Sequence, residues 1–220
     1  MYGYYFDPTY LLVLVGALLC MWASSRVNST YRKYARVRCR NGMTGAQAAE
    51  RILQMSGIRD VQIQHVSGDL TDHYDPRSKV LRLSDATYQT SSVAALGVAA
   101  HECGHAIQHA TGYVPLHIRG SLVPIVNFGS MIAWPLILIG LFFNTGSSAL
   151  FLNLGILAFS LAVLFQIITL PVEFNASRRA VHILGGSGML YEDEVRATKK
   201  VLFAAALTYV AGAVSSVLQL

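Results

Sequence analysis

The chain has 220 residues, enough for one compact domain or for a few membrane spans with a smaller domain, and too few for two full globular domains. Hydrophobic residues make up 53% of it and charged residues 13%, well below the roughly 25% of an average soluble domain, which argues against an ordinary water-soluble globule and points to lipid. The net charge of +5 leaves a nucleic-acid binder and a protein at an anionic membrane surface both open, so the placement of the basic residues has to decide.

The first apolar run, Tyr10 to Ala23, is followed at once by Arg26, Arg32, Lys33, Arg36, Arg38 and Arg40, with Asp7 in front. A cleavable leader carries its positive charge before the apolar stretch, so this order reads as an anchor with its N-terminus outside. Further apolar runs extend from Ile125 to Phe143, from Ala149 to Val172 and from Val201 to Leu220. Each approaches or exceeds the roughly 20 residues that a helix needs to cross the hydrocarbon core, which predicts four spans. Pro135 lies inside the second, and Pro171 is expected to end the third with a change of direction at the interface.

Every Lys and Arg falls between spans one and two or between spans three and four, and none lies in the N-terminal tip or in the loop from Asn144 to Ser148. This asymmetry is the positive-inside pattern, so both basic segments are expected in the cytoplasm and both termini outside. It accounts for the charge without nucleic acid; the lipid bilayer is the expected partner. The chain divides accordingly into an anchor (1–25), a cytoplasmic domain (26–122), a transmembrane hairpin (123–172), a second cytoplasmic segment (173–200) and a last span (201–220).

Within the cytoplasmic domain, Thr44 can cap a helix from Gly45 to Met55 that carries Ala46, Ala49, Ile52 and Leu53 on one face and ends at Gly57. Val61 to Val66 alternates apolar and polar residues as a half-buried strand does, and Lys79 to Leu83 reads as another strand entered from a turn at Asp75-Pro76. Helical territory begins at Ser84 or Asp85. Cys20, Cys39 and Cys103 are odd in number and widely spaced, which gives neither a disulfide framework nor a cysteine metal site and suits a reducing compartment.

The chemistry concentrates in His101-Glu102-Cys103-Gly104-His105, at the end of an apolar helical run from Ser91. Residues four apart on a helix lie one turn above each other, so His101 and His105 share a face with room for one metal ion. Glu102 stands one position round, within reach of a metal-bound water. That is the arrangement metal-assisted hydrolysis requires: Zn²⁺ acidifies its water, and the carboxylate takes the proton during attack on a polarised carbonyl. A catalytic zinc takes three protein ligands and keeps one position open. Topology returns Glu173, just after the third span, to the face where His101 lies; a carboxylate at a membrane boundary needs a partner, here either the metal or an ion pair with Arg178 or Arg179. His109 lies a further turn on, too far to complete a tetrahedron, and suits packing or support. Cys103 points away and reads as a small buried residue, and His182 reads as a structural histidine.

Three stretches, Ala99-Ala-His-Glu-Cys-Gly-His-Ala-Ile-Gln-His109, Asp72-His-Tyr-Asp-Pro76 and Pro171-Val-Glu-Phe-Asn-Ala-Ser-Arg-Arg179, resemble the bacterial YugP-like family of membrane zinc metallopeptidases, over nearly the whole chain. The resemblance implies a gluzincin-like, zinc-dependent neutral peptidase of the plasma membrane: a mainly α, multi-pass protein with about four transmembrane helices, a small cytoplasmic α+β zincin-like domain, an active site on the cytoplasmic face and a peptide or membrane-protein substrate. More distantly the pattern is similar to HtpX-type and CAAX-processing proteases, in which a Glu-x-x-x-Asp helix supplies the third ligand. Glu173 matches that Glu; Ser177 stands where the Asp would be, so the carboxylate brace on a zinc histidine must come from elsewhere or be weaker. In those relatives an edge strand before the metal helix pairs with extended substrate, and Val80, Leu81, Arg82 and Leu83 occupy the corresponding place, either as that edge or as an interior strand. His73 and Tyr74 are candidates for contacting substrate, on a segment that also reads as a simple turn. Two other classes stay open: a non-proteolytic scaffold or adaptor with a closed, four-ligand structural zinc, and a transporter, against which the near absence of ionisable residues in the spans argues.

Overall fold

The computed structural model describes residues 9–142 and 147–220; Asp7, Phe143, Asn144 and the rest of the two flanking stretches lie outside the described residues. Among the described residues, seven helices and three strands follow in the order α1 (Thr9–Ala35), α2 (Gly45–Met55), β1 (Gln62–Val66), β2 (His73–Asp75), β3 (Val80–Ser84), α3 (Asp85–Tyr88), α4 (Val93–Ala110), α5 (Val114–Phe142), α6 (Ser148–Gly186) and α7 (Glu192–Gln219). Four of them, α1, α5, α6 and α7, are long and apolar enough to cross a membrane. The protein is a mainly α membrane protein carrying a small α+β unit.

Local chemistry explains the small unit. The Thr44 hydroxyl accepts the Gln47 N–H at 3.3 Å while the Gln47 side chain accepts the Thr44 N–H at 3.0 Å, so α2 starts where two otherwise unpaired donors are satisfied. Gly57, at φ 72°, takes the left-handed turn that ends it. The helix buries Ala48, Ala49, Ile52 and Leu53 against α4 and the sheet.

The sheet order is β1-β3-β2, with β1 parallel and β2 antiparallel to β3. β3 is therefore the middle strand. Its backbone is paired on both sides, and Val80, Leu81 and Leu83 are buried, so Val80, Leu81, Arg82 and Leu83 form an interior strand and not an edge, and the edge position beside them belongs to β2. The reason is that Asp72-His73-Tyr74-Asp75, which reads as a turn because of its residue types, closes a short strand against β3 before Pro76 turns the chain.

α4 runs through the centre of the small unit, its first turn capped by the Ser92 hydroxyl, which accepts the Ala95 N–H at 3.1 Å. At Gly104 an added Cβ would stand 2.7 Å from the Ala176 carbonyl oxygen, so the missing side chain lets α4 and α6 approach backbone to backbone. α6 continues unbroken through Pro171 to Gly186, where the sequence predicts a change of direction. Two side chains reach carbonyls just past the proline: the Gln108 amide donates to the Val172 carbonyl at 2.8 Å, and the Tyr113 hydroxyl donates to that of Pro171 at 3.5 Å. Both tie α6 to its neighbours at the proline. Likewise α1 and α5 extend past the expected boundaries of their spans, so the helices pass without interruption from the apolar layer into the basic region.

Candidate metal centre

His101 and His105 project from one face of α4, and α6 brings Glu173 against them. His101 Nε2 lies 3.2 Å from His105 Nε2, and Glu173 Oε2 lies 3.2 Å from the first and 3.6 Å from the second. A tetrahedral zinc with ligand bonds of about 2.0–2.1 Å keeps its ligand atoms roughly 3.3–3.4 Å apart, so the three atoms stand at the corners such an ion needs. Glu173 is 2% exposed, and its Oε2 is buried with no hydrogen-bond partner, an expensive position for a carboxylate oxygen unless a cation completes it. The donor set and the orphaned oxygen both fit a zinc ion. Among the described residues no other cluster of His, Cys, Asp and Glu is suited to a metal.

The other atoms of the three ligands are held by neutral or cationic partners. His101 Nδ1 lies 3.1 Å from the Ser177 hydroxyl, and His105 Nδ1 lies 3.0 Å from Gln108 Oε1. The Gln108 amide nitrogen donates to the Val172 carbonyl and to Asn175 Oδ1, which in turn accepts from Arg179 Nε at 2.8 Å. That chain fixes which end of the amide faces His105: an acceptor oxygen, to which Nδ1 donates, so the Nε2 lone pair is left for a metal. The braces are thus a hydroxyl and an amide rather than a carboxylate. The cation on Glu173 is Arg119 from the start of α5, whose guanidinium donates to Oε1 at 3.0 Å; Arg178 and Arg179, the partners expected from their position in sequence, do not take this place.

Glu102 is buried beside the two histidines, and its Oε2 accepts the backbone N–H of Tyr74 at 3.0 Å. Burial raises its carboxyl above the usual range, opposed by the charge of His101 and His105. The Tyr74 N–H points at this carboxylate because β2 is an edge strand with one side of its backbone unpaired by the sheet. Tyr74 also donates or accepts at 2.8 Å to His109 Nδ1, which places His109 as a support of the strand.

A cavity of about 550 Å³ opens over these groups, walled by β2 with His73 and Tyr74 on one side and by the start of α5 with His117 and Arg119 on the other. Of the candidate substrate contacts, His73 and Tyr74 line it and Val80, Leu81, Arg82 and Leu83 do not. His182 is exposed and outside it, His65 pairs with Asp85 at 2.6 Å on the surface, and Cys103 is fully buried with its thiol towards the Ala49 carbonyl. Arg119, Gln108 and Tyr209 are the side chains at the centre that the sequence did not single out. Arg119 has a signal in hindsight, being the sole Lys or Arg in an otherwise apolar helix; Tyr209, on α7, has none.

Comparison with known proteins decides the family. Residues 9–220 match a family described as "Putative neutral zinc metallopeptidase". The chain belongs to that family. Among its relatives is the "Putative membrane protease YugP" of Bacillus subtilis (strain 168), 46% identical over 212 residues, which cover 96% of this chain and 93% of the relative. No solved structure matches the chain.

Proposed function

We propose that the protein is a membrane-embedded endopeptidase that hydrolyses peptide bonds at the cytoplasmic membrane surface, with Zn²⁺ on His101, His105 and Glu173 and with Glu102 as the general base. The observation that carries this reading is the meeting of His101 Nε2, His105 Nε2 and the orphaned Glu173 Oε2 at tetrahedral spacing. Zinc held by these three atoms would act as a Lewis acid on the scissile carbonyl and make water more acidic. Glu102 Oε2 is engaged by Tyr74 N–H, which leaves Oε1 to take the proton of the attacking water and return it to the leaving nitrogen. Arg119 holds Oε1 of Glu173, so one oxygen of that carboxylate is committed and the other is presented to the metal. An extended substrate would lie along the free edge of β2, recognised through its main chain and therefore with modest demands on sequence. The cytoplasmic placement rests on the distribution of Lys and Arg.

A scaffold built on a structural zinc would close the site with a fourth protein ligand, and the cluster among the described residues has three. Metal analysis and cleavage of an unstructured protein in detergent test the reading. Glu102→Gln is expected to keep stoichiometric zinc and lose hydrolysis, whereas Glu173→Ala is expected to lose the metal. Unchanged turnover in Glu102→Gln removes the mechanism, and full zinc in Glu173→Ala removes the ligand set.

A further inference from the structure

The large cavity carries its charges in two separate places. Its three carboxylates stand at the metal-ligand end, and each is held by a neighbour: Asp72 by Ser84, Glu102 by the Tyr74 N–H and Glu173 by Arg119. The other end is lined by Arg77, His109 and His117, with no carboxylate among them.

β2 sets this polarity. Asp72, just before the strand, borders a smaller cavity together with Val98, near the start of α4. Tyr74 reaches Glu102 with its N–H and His109, in the last turn of α4, with its hydroxyl. Arg77 follows in the turn after the strand. The strand therefore travels along α4 towards the C-terminal end of that helix, and a chain laid on its free edge passes from the metal ligands to the cationic end. His109 lies one helical turn, about 6 Å, beyond His105. An extended chain advances about 3.3 Å per residue, so the cationic end meets a group about two residues from the bond at the metal.

The donors at this end are unspent. The backbone N–H of Arg77 goes to Asp75, but its guanidinium has no hydrogen bond or ion pair among the described residues. The ring of His117 lies against that of His109, with centroids 6.2 Å apart, and its nitrogens have no hydrogen-bond partner among the described residues. His109 uses Nδ1 on Tyr74, which leaves Nε2 towards the cavity. The acids nearby face other groups: Asp75 is held by Ser78 and Arg82, and Asp60 is paired with Lys79. A carboxylate entering here would exchange water for charge-assisted hydrogen bonds, whereas an ammonium group would meet Arg77 as a like charge. Arg77 and His109 belong to the small unit and share a cavity with the metal ligands, which favours a substrate chain over a lipid headgroup as the source of that carboxylate.

We propose that the end of the cavity formed by Arg77, His109 and His117 is a carboxylate-binding subsite, which selects peptides carrying an acidic side chain or a free C-terminal carboxylate about two residues from the bond that is cut. The inference rests on the peptidase reading and names the substrate class within it.

The test uses the zinc-loaded full-length chain in neutral detergent and three dye-labelled, alanine-rich peptides of one length: an amidated peptide with Glu residues, its amidated Gln counterpart, and the Gln peptide with a free C-terminus. Binding is read by fluorescence anisotropy on the Glu102→Gln chain, which is expected to hold zinc without cutting. Either the Glu peptide or the free C-terminus is expected to bind about fivefold or more tighter than the amidated Gln peptide, and which of them does so identifies the source of the carboxylate. Adding Arg77→Glu should bring the ratio to one or below, Arg77→Lys should keep most of it, and His117→Ala should lower it in part. Both positions are exposed, so zinc content and melting temperature should hold. Cut sites mapped in an unstructured protein should show Asp or Glu at a fixed distance from the bond, or cluster near the C-terminus, and Arg77→Glu should abolish that pattern. Equal binding of the three peptides, binding of none, or a ratio untouched by Arg77→Glu overturns the subsite. An effect of Arg77→Glu that requires phosphatidylglycerol in the micelle assigns these residues to lipid and overturns it as well. Discrimination in binding with no cleavage of any protein by the wild type overturns the peptidase reading and leaves the subsite standing; cleavage with no discrimination does the reverse.

Discussion

α4 and α5 are adjacent in sequence and both rich in apolar residues, yet they use them in opposite ways. α4 buries 14 of its 18 residues, whereas α5 buries only four of 29, Val126, Gly129, Ala133 and Gly140, so what α5 hides is small and what it shows is large. Phe128, Met131, Trp134 and Leu141 of α5 are each more than half exposed. For α4 the apolar solvent is the rest of the protein; for α5 it is lipid, and only the seam against α6 needs close contact. The comparison locates the candidate metal centre: it sits where the fully enclosed helix meets the first turns of the lipid-facing one, and it draws histidines from the former and Arg119 from the latter.

The largest effect expected from breaking that junction is at Arg119. Removing the guanidinium leaves Glu173 Oε1 buried without its donor, so Arg119→Ala should weaken zinc retention by about tenfold to a hundredfold, with partial recovery in Arg119→Lys. Chelator competition followed by metal analysis checks this, and equal retention in all three proteins would show that α5 contributes nothing to the centre. A smaller effect belongs to Gly104, where a side chain would meet the backbone of Ala176. Gly104→Val should cost about 1–3 kcal/mol in unfolding measurements and also loosen the metal, because pushing α6 away moves Glu173. On α5 the corresponding test has a much smaller expected result: Met131→Ala, on a lipid-facing residue, should change stability by no more than about 0.5 kcal/mol. The smallest effect is a null one. Burial and the neighbouring Glu102 carboxylate push the Cys103 thiol far above its ordinary range, and burial with Glu194 pushes that of Cys39 up to about 12. Both stay protonated at pH 8, so iodoacetamide should leave them unmodified until the chain is unfolded, as read by mass spectrometry; rapid labelling of Cys103 in the folded protein would mean that α4 is less enclosed than described.

How much of this was legible beforehand depended on the distance over which the signal acts. His101, Glu102 and His105 are separated by less than two helical turns, so helix geometry alone sets their relation. The capping of α2 at Thr44 and its end at Gly57 are local in the same sense, and the structure reproduces both. Glu173 could be placed only by combining the count of spans with the family pattern, since nothing near it in sequence announces His101. The strand order was out of reach: Lys79 to Leu83 has the stronger strand composition, but whether a strand is edge or centre depends on whether three residues elsewhere, His73 to Asp75, pair with it. Pro171 misled for a related reason, since whether a proline ends a helix or is carried inside it depends on the surroundings of the helix and not on the proline alone. Gln108 and Ser177 were visible as polar residues in the right motifs, but their service to His105 and His101 is a matter of how α4 and α6 meet at Gly104.

The unbroken course of α6 has a mechanical consequence. One rigid rod carries both the lipid-facing segment and the carboxylate at position 173, with no hinge at Pro171 to isolate one from the other. The same rod is fastened to the histidine helix on either side of Glu173, by Gln108 at Val172 and by the close approach of Gly104 to Ala176, so the lipid-facing segment and the small unit are joined mechanically at the carboxylate.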